Sequence, residues 1–253
     1  MSDRTLPGQE FDGLVAVVTG GAGGIGSATA RYLAARGAKI AVVDREFAST
    51  TGYLEVTCDI TKDADVKAGV AKVVAELGGI DILINNAGIG AAGDVTANND
   101  EEWIHVLNVN LLGAVRMTRA ALPHLRASKS PAVVNTCSIV ACLGLPNSAL
   151  YSATKGGLES LTRAMAADYL AEGIRVNAVS PATADTPWVA RLLAAADDPA
   201  AMSANLIARQ PMKRLISADE IAHAIAYLAH PLSSSTTGTV LPVDAGMHSL
   251  RVN

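Results

Sequence analysis

Aromatic side chains are scarce in this 253-residue chain, at 4% of all positions, so its core cannot rest on large rings and must come from aliphatic residues. Half the chain is hydrophobic, mostly Ala, Val, Leu and Ile in short runs, and 22 glycines accompany them. That composition suits buried parallel strands under closely packed helices and is enough for one α/β domain. Cysteine is also scarce. Cys58, Cys137 and Cys142 are odd in number and have neither Cys-x-x-Cys nor metal-type spacing, which speaks against a disulfide framework or a zinc site. Each is expected to be a small core residue in a reducing compartment. Positive charge is not in excess, since the formal net charge is -4 and no Lys/Arg block occurs, so the electrostatic footprint of a nucleic-acid binder is missing. No apolar run nears the length of a membrane span, and the start Met1-Ser-Asp-Arg-Thr-Leu-Pro-Gly-Gln-Glu10 has no apolar signal region. A soluble, cytoplasmic protein without a membrane partner is expected. The five histidines, His105, His124, His223, His230 and His248, show no HExxH-like pair, so no metal is assigned.

What is present is an alternation of strand and helix signals. Leu14 to Val18 is a continuous apolar run that ends in a glycine-rich loop, after which Ile25 to Arg36 carries helix formers up to a stop at Gly37. Strands are predicted at Ile40 to Val43, Tyr53 to Thr57, Asp81 to Ile84, Ala132 to Thr136, Arg175 to Val179 and Gly238 to Val243. Helices are predicted at Asp63 to Leu77, in one long stretch from Asp100 to about Arg126, at Ser148 to Ala171 and at Ala218 to Ala229. This order argues for right-handed parallel crossovers and a doubly wound sheet in a single domain over 1–253, with residues 1–10 as a tail. The link from Asp44 to Tyr53 is too short for a covering helix, so that part of the sheet is expected to be bare.

Thr19-Gly20-Gly21-Ala22-Gly23-Gly24-Ile25-Gly26 joins the first strand to the first helix, where bare backbone permits a tight turn and lets a pyrophosphate reach the helix N-terminus. Asp44 ends the second strand about twenty residues on, the place where a carboxylate accepts hydrogen bonds from the adenine ribose hydroxyls and repels a 2'-phosphate. NAD is therefore expected over NADP. Far downstream, Tyr151-Ser-Ala-Thr-Lys155 puts a phenol and an ammonium at i and i+4, one above the other on a helix. An ammonium near a phenol favours the phenolate, so a group with an ordinary pKa near ~10 can exchange protons closer to neutrality.

In order and spacing, Thr19-Gly-x-x-x-Gly24-x-Gly26, Asp59, Asn85-Asn86-Ala87-Gly88, Asn110, Ser138, Tyr151-x-x-x-Lys155 and Pro181 through Thr186 resemble the short-chain dehydrogenase/reductase family, over about residues 11 to 247. The resemblance implies a Rossmann-type domain with a seven-stranded parallel sheet in order 3-2-1-4-5-6-7 and helices on both faces. It implies Tyr151 as proton donor and acceptor, Ser138 as holder of the substrate oxygen, Lys155 as binder of the nicotinamide ribose, and Asn110 as the residue fixing a water that links Lys155 to solvent. Gly20, Gly24, Ile25, Gly26, Asp44, Asp59, Asn86, Gly88, Lys155, Pro181 and Thr186 would line the NAD site. A homotetramer is implied as well, with the Tyr151 helix and the Asp100 to Arg126 helix at the interface.

The chain departs from the family pattern at three places. Ala182 stands where a glycine is usual, with Ala184 two residues on where a bulkier aliphatic is usual. Asp244-Ala245-Gly246 replaces Asp-Gly-Gly, a change expected to be neutral. The third departure is the short Asp44 to Tyr53 link.

Residues 187–211 are expected to form a mobile substrate lid carrying Trp188, Arg191 and Arg209. Two arginines in a lid suggest an acidic small-molecule substrate, such as a sugar acid or hydroxy acid, and the run Thr186-Pro-Trp-Val-Ala-Arg-Leu-Leu resembles family members that oxidise such acids with NAD. The alternatives are exposed ion pairs with Asp185, Asp197 or Asp198, a dehydrogenase or ketone reductase for neutral alcohols and polyols, and a dinucleotide-binding regulator without chemistry.

Overall fold

The computed structural model describes residues 8–194 and 196–251, so most of the expected tail lies outside the described residues. Seven strands, β1 (Val15–Thr19), β2 (Lys39–Asp44), β3 (Leu54–Thr57), β4 (Ile82–Asn85), β5 (Ala132–Thr136), β6 (Arg175–Pro181) and β7 (Val240–Val243), form one sheet. Their lateral order is β3-β2-β1-β4-β5-β6-β7, and every pairing is parallel. This is the doubly wound α/β order expected from the sequence. The order reverses between β1 and β4, which opens a crevice at their carboxyl ends, where ligands bind in such sheets.

The described residues form eight α-helices: α1 (Gly24–Ala34), α2 (Asp63–Leu77), α3 (Asp100–Leu107), α4 (Gly113–Ala127), α5 (Ala149–Asp168), α6 (Pro187–Ala194), α7 (Pro199–Ala208) and α8 (Ala218–Ala229). Strand alternation sends Ala16 and Val18 of β1 to one face and Val15 and Val17 to the other, although all four are buried. The first face packs against Leu33 of α1 and Ile221, Ile225 and Leu228 of α8. On the second lie Val66, Val70 and Val73 of α2, Met117 and Leu125 of α4, and Met165 of α5. Helix ends follow local chemistry. Asn99 caps α3 by accepting from the Glu102 N–H, and Ser217 and Glu220 form a reciprocal capping box at α8.

Several expectations need correction. The stretch from Asp100 to Arg126 is not one regular helix, because a π-helical turn, Asn108–Leu112, separates α3 from α4. The link between β2 and β3 lacks a helix as expected, but the sheet there is not bare: Phe47 and Tyr53 pack partly buried against the core on the α1 face. Ala182 does not have a left-handed backbone, so it carries no strain for lack of a glycine. Ala245 does, at φ 53°, so the Asp-Ala-Gly sequence is not neutral and costs about 1 kcal/mol in backbone energy relative to glycine.

Candidate active site

Side chains at the crevice first tie strand ends together. The Thr19 hydroxyl accepts from the N–H groups of Asn86 (2.9 Å) and Ala87 (3.0 Å) and donates to the Ile84 carbonyl (3.2 Å). The Asn86 amide donates to the carbonyls of Thr19 (3.1 Å) and Gly20 (3.3 Å), while its oxygen accepts from Thr136 Oγ1 (3.3 Å). Asn86 thus joins the loops after β1, β4 and β5, and its side chain is used in shaping the crevice. Asn85 points the other way, into the sheet, donating to Thr118 Oγ1 (3.0 Å) and Asn135 Oδ1 (2.9 Å).

Above these ties sits the glycine loop. A Cβ at Gly26 would lie 2.1 Å from the Gly20 carbonyl oxygen, so only glycine permits this fold of the loop. Gly23 precedes α1 without a side-chain cap, and no acidic residue stands in the first turn, which leaves the amides of Gly24, Ile25 and Gly26 available to an anion. Asp44, at the end of β2, accepts from Ala22 N (3.1 Å) and Arg45 N (2.8 Å), so its carboxylate is held beside the loop. Asp59 accepts from the Thr61 N–H (3.0 Å) and hydroxyl (2.7 Å), bonds that hold its carboxyl below the usual carboxylate range and keep it charged. Thr186, just ahead of α6, lies against Gly24, 3.7 Å from where a Cβ would stand. Pro181 ends β6 beside Val243 of β7. A narrow turn, an open helix N-terminus and two oriented carboxylates together fit a dinucleotide.

The acid/base residues lie across the crevice. Tyr151 and Lys155 are on α5, with Lys155 Nζ 5.7 Å from the centroid of the Tyr151 ring. Lys155 is 3% exposed and has no carboxylate partner among the described residues; its ammonium donates to the Thr136 carbonyl (2.8 Å). A buried ammonium aimed by one carbonyl retains two donors for other groups. Ser138 begins the turn after β5, where its oxygen accepts weakly from Val140 N (3.5 Å). Asn110 comes from the π-helical turn and is fully buried. Its oxygen accepts from Ile89 N (2.8 Å), and its amide donates to the Ile89 carbonyl (2.9 Å) and to Thr154 Oγ1 (3.1 Å). Thr154 in turn donates to the Tyr151 carbonyl (2.8 Å), so Asn110 joins the loop after β4 to the Tyr151 helix. A Cβ on Gly88 would stand 3.2 Å from Asn110 Oδ1 and 3.4 Å from Lys155 Nζ, which places the two side chains around one glycine. Three of the four residues expected from the sequence, Asn110, Tyr151 and Lys155, are thus linked through Thr154 and Gly88, while Ser138 stands at the end of β5. Thr136 and Thr154, which aim the linked residues, were not foreseen, although Thr154 lies between Tyr151 and Lys155 in the motif itself.

A cleft of ≈440 Å³ is bounded by Asp94 and Val95, the 140–145 loop, Asn147 to Ala149 and Ser152 of α5, one residue from Tyr151. Cys142 lines it, exposed, with its sulfur 3.3 Å from His248 Nδ1, and is not the core residue expected. Burial and the carboxylates of Glu159 and Asp244 raise its thiol pKa. Cys58 and Cys137 are buried as expected, with thiols pushed up to about 11 and about 12. Among the described residues no His, Cys, Asp and Glu cluster could hold a metal, and no helix is long and apolar enough to cross a membrane. Arg191 and Arg209 are exposed, are not among the residues lining the cleft, and form no salt bridge among the described residues, so the ion-pair alternative is not assembled. Trp188 is different: its indole lies over Gly90, where a Cβ would fall 2.5 Å from Cζ2.

Known proteins share the frame. A family model described as enoyl-(acyl carrier protein) reductase matches residues 20–248. The cis-4-hydroxycyclohexanecarboxylate dehydrogenase of Sinomonas cyclohexanicum is 42% identical over 250 residues, covering 94% of this chain and 98% of that protein. Dehydrogenase/reductase SDR family member 6 of Rattus norvegicus is 34% identical over 243 residues, covering 93% and 98%. The chain belongs to the short-chain dehydrogenase/reductase family. A solved structure of this family, the ligand-free aldohexose dehydrogenase of Thermoplasma acidophilum, matches with a TM-score of 0.90 at 31% identity, covering 97% of this chain and 99% of that one. Short-chain dehydrogenases/reductases use nicotinamide dinucleotides, and two of the proteins named here are by name dehydrogenases of hydroxylated compounds. This family member is accordingly an oxidoreductase acting on CH–OH groups.

Proposed function

We propose that the protein is an NAD-dependent dehydrogenase that interconverts a secondary alcohol and a ketone, with Tyr151 as general acid/base and a hydroxylated acid as substrate. The observation that supports this reading is the cluster of Tyr151, Lys155 and Asn110 across from an anion-ready glycine loop. Tyr151 takes the hydroxyl proton during oxidation and returns it during reduction, and Ser138 holds the substrate oxygen. NAD bound along the loop would supply the hydride acceptor. Lys155 holds the nicotinamide ribose with the donors that Thr136 leaves free, and Asn110 orders a water between Lys155 and solvent. Gly20, Gly24, Ile25 and Gly26 hold the pyrophosphate, Asp44 the adenine ribose, Asp59 the adenine, and Asn86, Gly88, Pro181 and Thr186 the nicotinamide side. Arg191 is one helical turn beyond Trp188 and has no carboxylate partner among the described residues, which suits it to pair with a substrate carboxylate, as Arg209 would from the far end of the lid.

A screen of NAD and NADP reduction against sugar acids, hydroxy acids, polyols and simple secondary alcohols tests this reading. Turnover is expected with NAD, and Asp44→Ala is expected to raise kcat/KM with NADP relative to NAD by about ten-fold or more, since one repulsive charge is removed. A wild-type preference for NADP would sink the cofactor assignment, and equal turnover of neutral alcohols and acids would sink the arginine clamp.

The homotetramer belongs to the same proposal. Ile104 of α3, Leu112 of the π-helical turn and Leu170 after α5 are exposed at 67%, 44% and 62%, apolar surface on the elements expected at the interface. Light scattering on the eluted protein is expected to give four times the 25.9 kDa chain mass, and a monomer would refute it.

A further inference from the structure

The loop after β4 passes the parts of the site in sequence. At Gly88 it lies against Asn110 and Lys155; at Gly90 the space a side chain would fill is taken by the Trp188 indole, at 2.5 Å for Cζ2, 3.2 Å for Cε2 and 3.4 Å for Cη2. At Gly93 it forms a bridge with Ser148, and at Asp94 and Val95 it lines the ≈440 Å³ cleft. Along this loop the contact with the indole therefore falls between the contact with Lys155 and the residues that line the cleft. The loop beneath it is rigid at this point, since Asn110 holds both the N–H and the carbonyl of Ile89. Trp188 is brought there by α6, whose start is fixed by Thr186: its hydroxyl accepts from Val189 N (3.5 Å) and its carbonyl from Ala190 N (3.0 Å). The next side chain, Val189, is 2% exposed and anchors the helix.

Contact with Gly90 covers only part of the indole. The residue remains 47% exposed, an unusual state for a tryptophan within one short loop of a buried lysine. Val140, Leu143 and Leu145 supply aliphatic surface to the cleft. A flat aromatic plate on Gly90 and branched aliphatic groups lining the cleft that the next turn of the same loop bounds suit a compact saturated ring better than a short open chain, because a ring covers the indole without losing internal rotations on binding.

We propose that Trp188, seated on Gly90, is a specificity-determining wall that selects alcohols borne on a six-membered ring over open-chain alcohols. This rests on the dehydrogenase reading above, and it separates the two glycine-bounded halves of the site: Gly88 admits the acid/base, and Gly90 admits the wall. Gly90 has no left-handed backbone, so Gly90→Ala acts by pushing the indole rather than by straining the chain.

Cyclohexanol and 2-butanol, both neutral, keep the arginines out of the comparison. Wild-type kcat/KM is expected to favour cyclohexanol, with Trp188→Ala and Gly90→Ala each reducing that preference by about ten-fold, chiefly through KM, and Trp188→Phe retaining most of it. Equal losses for both alcohols in Trp188→Ala would overturn the wall and leave Trp188 as a lid anchor only. A second readout needs no turnover. With Trp103→Phe, Trp188 is the sole tryptophan, and its emission is expected to shift with cyclohexanol and not with 2-butanol; equal response to both, or to neither, overturns the proposal. Lack of NADH formation from every alcohol would defeat the dehydrogenase reading, and the emission measurement would still decide the role of Trp188.

Discussion

Tyr151→Phe is expected to reduce kcat by about 10²–10⁴-fold, the usual contribution of a positioned proton-transfer group, with NAD affinity retained. The substitution removes one oxygen and keeps the ring, so packing on α5 and the face presented to Lys155, 5.7 Å from the centroid, are preserved. Nothing that positions the site depends on the phenol oxygen: Thr136 orients Lys155, while Thr154 and Asn110 hold the Tyr151 main chain. Steady-state oxidation of the best alcohol from the screen, together with NAD titration by calorimetry, separates chemistry from binding. Undiminished kcat would remove Tyr151 from the acid/base role. Loss of NAD binding along with kcat would show instead that the ring supports the cofactor cleft. The same variant discriminates against a binding-only protein, in which the hydroxyl would have no measurable consequence.

The parts of this site that could be read from sequence are those whose chemistry depends on local spacing. Tyr151 and Lys155 share a helix, the glycine loop is continuous in the chain, and Asp44 ends an apolar run, so each could be placed from its neighbours. The doubly wound class was legible because β-α alternation with short connections leaves few topologies, whereas the strand order came from the family resemblance. Features that depend on an irregular backbone or on distant partners were not legible. The π-helical turn that sends Asn110 into the loop after β4 lies within Asn108–Leu112, whose sequence reads as ordinary helix. Its cause is tertiary: the Asn110 amide finds three partners at Ile89 and Thr154, and Arg116 donates to the Asn108 carbonyl (3.4 Å). Spacing alone makes Cys142 a small core residue, whereas the loop after β5 turns it into the cleft beside His248. Ala245 illustrates the same limit for the backbone, since its positive φ follows from the turn in which Asp244 accepts from Gly246 N (2.9 Å) and His248 N (2.7 Å).

Arg175→Met is expected to lower folding stability by about 3–5 kcal/mol, the range seen when a buried, hydrogen-bonded charged group is removed from its partners. Arg175 starts β6 and is only 8% exposed. It faces no carboxylate within salt-bridge distance among the described residues. Its guanidinium instead donates to the carbonyls of Leu228 (2.6 Å), Ala229 (3.2 Å), His230 (3.1 Å) and Thr236 (3.4 Å). The first three are the unsatisfied carbonyls at the end of α8, where the helix dipole is negative, so one cation caps the helix that covers a whole face of the sheet. Burial lowers the Arg175 pKa, but a guanidinium starts so high that the charge persists. Methionine fills much the same volume and donates nothing, leaving those carbonyls without their buried partner. Lysine is expected to recover little, because a single ammonium cannot span four acceptors arranged around a planar fork. Urea unfolding followed by circular dichroism measures the difference. A loss below about 1 kcal/mol would mean that water replaces the guanidinium at the end of α8, and that the helix is held by its apolar face alone.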